Sequence, residues 1–165
     1  MSFRLTYATM FDPPESLHTA FDNALAEVRG NLGQRHPLFI NGVDERRADY
    51  QTLVSPIDTD LVLGEFALAD HSDVERAIAS AKQAYPGWRA LSAAQRAGYL
   101  RRIADIMESR VYYIAAALSL EVGKNRMEAL GEAQETVDFF RQYADDFENA
   151  KGFDITLPND PLEGV

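Results

Sequence analysis

The chain has 165 residues, 46% of them hydrophobic and 25% charged, enough apolar material to bury a real core as one compact domain or as part of a larger one. Sixteen Lys and Arg against 26 Asp and Glu give a formal charge of −10, so there are few cations to neutralise a phosphate backbone and nucleic acid is excluded as an expected partner. Cysteine is absent, which rules out disulfides, thiolate nucleophiles and Cys-based metal sites within these residues.

The opening stretch MSFRLTYATMFDPPE lacks a continuous apolar signal core, and no later run reaches the ~20 apolar residues of a membrane-spanning helix. A soluble, cytoplasmic protein with no membrane partner is expected. Pro13 and Pro14 before Glu15 suit a helix entry, and Leu17, Phe21, Leu25, Val28 and Leu32 then recur at three- and four-residue steps up to Gly33. This predicts an amphipathic helix, an N-terminal arm that packs on a larger body.

In HPLFINGV, residues 36–43, an apolar run meets Asn41–Gly42, the strongest two-residue hairpin signal. Tyr50 to Val54 and Leu61 to Leu68 read as further short strands, separated by the turn-favouring SPIDTD at 55–60. Two capping boxes follow, Ser72 with Glu75 and Ser92 with Gln95, each predicting a helix start. From the first, Val74, Ile78, Ala81, Tyr85 and Trp88 keep helical period, and Pro86–Gly87 is expected to kink or end the helix. From the second, Leu100, Ile103, Met107, Val111, Ile114 and Leu118 predict one long helix ending near Gly123, which suits a left-handed terminus.

Asn125 can cap the next helix at once, with Glu128 three residues on. That helix is expected to bury Met127, Leu130, Ala133, Val137, Phe140 and Phe147, which gathers Glu128, Glu132 and Glu135 on a neighbouring strip. Like charges four apart cost about 0.2–0.5 kcal/mol each on an exposed helix, and only acids near the first turn recover part of that from the helix dipole. Glu135 is too far along for such relief. Residues 121–165 hold eleven acidic and four basic residues, a solvated face or a site for a cationic ligand or basic partner. Phe153 to Leu157 reads as a strand, and PNDPLEGV ends without a cap or closing element, so the chain is expected to be the front part of something longer.

His18, His36 and His71 are far apart and in no ligand spacing, so no metal site is expected. Nor is there a glycine-rich phosphate loop, a G-x-S-x-G turn or an H-E-x-x-H helix. The residues alone predict a mostly α-helical segment with a small β-sheet and no catalytic machinery.

The order of several short motifs carries further information. Ile40–Asn41–Gly42, Ser55–Pro56, ADHSDV at 69–74, Trp88–Arg89–Ala90–Leu91–Ser92, RAGYLRRIADIM at 96–107 and Glu121–Val122–Gly123–Lys124 together resemble the N-terminal portion of the aldehyde dehydrogenase superfamily over residues 38–144. Within it, HPLFING and EVGKNRMEALGEAQETVDFFRQYA most resemble the 1-pyrroline-5-carboxylate dehydrogenase branch. The resemblance implies an α/β parent with a Rossmann-type cofactor domain, in which residues 1–35 are the helical arm and 36–165 an incomplete N-terminal part of the cofactor-binding domain. It implies an NAD-dependent oxidation of L-glutamate γ-semialdehyde by a parent that is a homo-oligomer.

The same resemblance places a carboxylate near the substrate's α-ammonium group, and the matching position is Glu135. The cysteine nucleophile, the water-activating glutamate and the dinucleotide site it requires lie downstream, so no catalytic and no cofactor-binding residue is assigned here. The segment alone is expected to be inactive, to bind no NAD and to depend on the remainder of its own chain; Lys124 is expected to be a surface or capping charge. The competing expectation is a free-standing helical interaction module whose acidic last helix binds a basic partner.

Overall fold

The computed structural model describes residues 12–157 and 162. Its order is helix α1 (Glu15–Gly30), strands β1 (Gln34–His36), β2 (Leu38–Ile40), β3 (Val43–Glu45), β4 (Tyr50–Ser55) and β5 (Asp58–Ala67), then helices α2 (His71–Arg89), α3 (Ala93–Ser109), α4 (Val111–Val122) and α5 (Arg126–Asn149). A mostly helical segment with little sheet was expected, and this is what forms. The readings of the first eleven residues and of residues 158–165 fall outside the described residues, Leu162 excepted.

The hairpin forms where expected, β2 pairing antiparallel with β3 around Asn41 and Gly42, which adopt φ of 53° and 78°. In the larger sheet β5 lies between β4, antiparallel, and β1, parallel. Strand β1 was not anticipated, because QRH is polar and exposed and so shows neither alternation nor an apolar run. Gly64 is the sign of it. A Cβ there would lie 3.1 Å from the His36 ring and 3.2 Å from the Gln34 carbonyl, so glycine lets β1 close on β5 without pushing either aside. His36 then stacks on Phe66 with ring centroids 4.8 Å apart.

The main core joins α1 through Leu17, Phe21, Ala24 and Val28 to Ala115, Ala116 and Leu120 of α4 and Ala129, Leu130 and Ala133 of α5. Between α3 and α5 the fully buried residues are small: Ala97 and Ala104 face the α5 side, where Val137 and Ala144 are buried. Arg96 of α3 lies over the Phe147 ring of α5 at 5.0 Å, and ion pairs of Arg101 with Asp145 and Glu148, and of Arg141 with Asp105 and Glu108, line the seam.

Several expectations need correction. Helix α2 is capped by Asp70 and Asp73, not by Ser72 and Glu75: the Asp70 carboxylate accepts from the Asp73 amide and the Asp73 carboxylate from the Asp70 amide, each at 3.0 Å. Ser72 instead donates to Asp70, and Glu75 faces His71 at 3.3 Å. Pro86 neither ends nor breaks α2, since it sits in the last turn and forfeits a single backbone bond. The long helix divides at Arg110, whose φ of −119° and ψ of 15° separate α3 from α4, beside Ser109, which donates back to the Ile106 carbonyl. Residues 154–157 are not a strand. Lys151, Gly152 and Phe153 all have positive φ and turn the chain so that Phe153 lies against Phe147.

The greatest departure is in α2. Its apolar stripe, Val74, Ile78, Tyr85 and Trp88, is exposed, and its one buried residue is Asp73. That carboxylate is held by Arg47 and Arg76, which also grip Glu45 on β3, so α2 is fastened to the hairpin by charge. Hydrogen bonds from Arg47, then from the Asp70 amide, hold the Asp73 carboxyl well below the usual carboxylate range. A depressed folded pKa contributes stability that is complete above the unfolded value near 4 and is lost as pH falls toward the folded one. Thermal unfolding followed from pH 6 down to pH 2 should show a loss that begins below about pH 4 and is shallower in Asp73→Asn, which starts from lower stability. Gly64→Ala should destabilise by about 1–3 kcal/mol, measured by denaturant melts, because the added methyl meets backbone as well as the His36 ring.

Candidate functional site

The strip of acids on α5 is set by how α4 ends. Gly123 takes φ 78° and its amide bonds to the Ser119 carbonyl at 3.1 Å, closing α4 as the sequence led one to expect. The Ser55 hydroxyl, fully buried, donates to the Leu120 carbonyl at 2.5 Å, satisfying one of the free acceptors of the last turn. Pro56 and Ile57 of the β4–β5 turn pack on Gly123 itself, within 3.6 and 3.3 Å of where a Cβ would stand. Helix end and sheet turn thus lock together at one point.

Helix α5 starts three residues later. Asn125 accepts from the Glu128 amide at 3.0 Å, as expected of a cap. Arg126 lies over the Phe21 ring at 4.6 Å, meets His18 Nδ1 at 2.8 Å and pairs with Asp22, which docks the α1 arm onto the beginning of α5. That docking was not foreseen, since residues a hundred apart give no local signal.

The three glutamates have three different surroundings. Glu132 pairs with Lys124, so that lysine is a surface ion-pair partner on the strip itself. Glu128 is exposed in the first turn, where the helix dipole favours its charge. Glu135 is exposed, and no hydrogen bond or ion pair holds it among the described residues. The next turns of this face carry Phe139 and Tyr143, 47% and 59% exposed, with ring centroids 5.6 Å apart and planes inclined by only 11°. Their i, i+4 spacing was the available sign, but apolar period along a helix points to residues that face the core.

The remaining polar features lead elsewhere. A cleft of about 300 Å³ between α1 and the α3–α4 joint takes its lining from Asn23, Glu27, Arg110, Tyr112 and Tyr113 among others, and nothing from α5. His18, His36 and His71 are engaged by Arg126, Phe66 and Glu75 respectively. Among the described residues no three His, Cys, Asp or Glu are placed to hold a metal, and no helix is long and apolar enough to cross a membrane.

Replacing Gly123 by alanine would force a left-handed conformation at about 1–2 kcal/mol and press a methyl onto Ile57. A melting-temperature series with Gly123→Ala and Gly123→Asn should show alanine the more harmful, asparagine tolerating this conformation better.

Comparison with known proteins converges on one group. The sequence model of the Aldehyde dehydrogenase family matches residues 43–163. A 1-pyrroline-5-carboxylate dehydrogenase of Staphylococcus saprophyticus is 38% identical over 125 residues, which are 76% of this chain and 24% of that protein. An alpha-ketoglutaric semialdehyde dehydrogenase of Bacillus subtilis is 39% identical over 108 residues, 64% of this chain and 22% of the relative. Among solved structures, the 1-pyrroline-5-carboxylate dehydrogenase from Thermus with bound NAD superposes with a TM-score of 0.85 at 27% identity, covering 98% of this chain and 31% of its own. The chain therefore spans about a quarter of the length of the curated relatives it matches.

Proposed function

The chain belongs to the aldehyde dehydrogenase family, and on that premise we propose that it forms the N-terminal part of an NAD-dependent 1-pyrroline-5-carboxylate dehydrogenase, which oxidises L-glutamate γ-semialdehyde to L-glutamate in proline degradation. The observation that carries this reading is the likeness to the Thermus enzyme over 98% of the chain, an extent that takes in α1 as well as the family-matched region. In the proposed parent, residues 1–35 are the arm and 36–165 the first part of the cofactor domain.

Oxidising an aldehyde requires a nucleophile that adds to the carbonyl carbon, so that hydride can leave a tetrahedral adduct. NAD, when bound, accepts that hydride. These residues contain no cysteine and no glycine-rich phosphate turn, so neither the attacking sulfur nor a dinucleotide cradle is assigned to them. Their part is to build a wall of the substrate pocket, and the segment by itself is inactive.

Overall identity does not choose the semialdehyde, because relatives acting on two different ones are 38% and 39% identical. The side chain at position 135 offers a criterion. Glutamate γ-semialdehyde has an α-ammonium group where α-ketoglutaric semialdehyde has a ketone, and a carboxylate attracts the first while opposing the lone pairs of the second. Among the described residues Glu135 has no internal cation to satisfy it, which supports the ammonium-bearing substrate. A charge-assisted hydrogen bond of about 1.5–3 kcal/mol also outweighs the repulsion of a few tenths from its acidic neighbours.

In the full-length enzyme, Glu135→Gln should raise KM for glutamate γ-semialdehyde by about 10–100-fold with little change for glutarate semialdehyde, the same skeleton without the ammonium. Steady-state NADH formation with both aldehydes measures this. An unaltered KM for the first would remove Glu135 from the pocket.

A further inference from the structure

We propose that Phe139 is the aromatic half of the subsite for the substrate's α-ammonium group, with Glu135 its anionic half, so that Phe139 helps select amino-bearing semialdehydes. This rests on the substrate reading above and extends it to a residue that the carboxylate argument alone does not reach.

The position of the ring is the first ground. Along α5 the buried residues are Ala129, Leu130, Ala133, Val137 and Ala144, and at 100° per residue the opposite pole carries Glu128, Glu135, Phe139 and Asp146. A phenylalanine on the outermost line of a helix, amid carboxylates, contributes nothing to the core of this segment. Its half-exposed ring is a surface available for something else.

Direction is the second ground. Long helical side chains lean toward the N-terminus, over the turn that precedes them, so the Phe139 ring covers the turn that presents Glu135. Tyr143, one turn further on, stacks almost parallel on one face of the ring, and Glu135 stands one turn away on the opposite, N-terminal side. A cation there meets the negative face of one ring and a carboxylate together, a pairing that favours an ammonium and disfavours a phosphate or a ketone.

The chemistry of the neighbours narrows the ligand further. Glu132 already has Lys124, and Glu128 sits in the dipole of the first turn, so Glu135 is the acid of the strip left for an external cation. A single ammonium matches one carboxylate and one ring. An extended basic protein surface would instead call on the whole strip.

The test uses the full-length enzyme with glutamate γ-semialdehyde and glutarate semialdehyde as paired substrates. Phe139→Leu keeps bulk and loses the ring; it should raise KM for the ammonium-bearing aldehyde about fivefold, leave KM for glutarate semialdehyde and for NAD within twofold, and be rescued by Phe139→Tyr. Equal rises for both aldehydes would make the residue a plain apolar wall and overturn the proposal. No change in either, while Glu135→Gln still raises KM for the first, would overturn it and leave the substrate reading standing. If Glu135→Gln were silent too, both would fall together.

Discussion

The left-handed turn at Gly123 is the constraint on which the rest of this segment depends. It ends α4 against the β4–β5 turn, with Ser55 closing the Leu120 carbonyl, and it sets the angle at which α5 departs. Once α5 has left at that angle, its alanine and valine line must settle on α3 and α4, and its opposite line must face outward with Glu135 and Phe139. A different exit would rotate the helix and bury a carboxylate at a cost that a lone acid could not sustain without a partner. The orientation of the candidate pocket wall is thus fixed some twelve residues before Glu135, the proposed ammonium partner.

Small residues then convert orientation into proximity. Ala97, Ala104, Ala129, Ala133 and Ala144 are buried, so small side chains form much of the helix contacts and leave little freedom to slide. Ion pairs along the α3–α5 seam add register more than energy, since exposed pairs each contribute at most about 1 kcal/mol. A rigid outer face is what a binding wall requires, because a carboxylate displaced by one ångström loses most of its charge-assisted hydrogen bond.

How far the sequence disclosed this follows from the kind of signal each element carries. Gly123, Asn125, Asn41–Gly42 and Ser92 act through contacts a few residues away, so their roles could be read directly. Strand β1 could not, because parallel pairing with β5 depends on residues thirty apart and its only trace is a glycine that makes room. The α3–α5 seam was not legible for another reason: periodicity gives weight to large apolar residues, and Ile103 proved 40% exposed while Ala104 beside it is fully buried. For the site, the placement of Glu135 came from family resemblance, and the pairing of Glu132 with Lys124 across the helix junction was not visible beforehand.

Helix α2 shows how the same physics can be reversed. Its apolar period is as regular as that of α1, yet α1 buries its stripe and α2 turns Val74, Ile78 and Trp88 outward while sinking Asp73 between two arginines. A buried carboxylate is tolerable only when cations and amides surround it, and here Arg47, Arg76 and the Asp70 amide do so from the hairpin, the helix and the cap together. Breaking any one would leave charge without compensation, so removing a single partner is expected to loosen α2 from the hairpin. The outward stripe is therefore presented in a fixed pose rather than left to collapse onto the sheet. Surfaces of that kind, rigid and apolar over several turns, are made to be covered by further protein, which agrees with a chain that spans about a quarter of the length of its relatives.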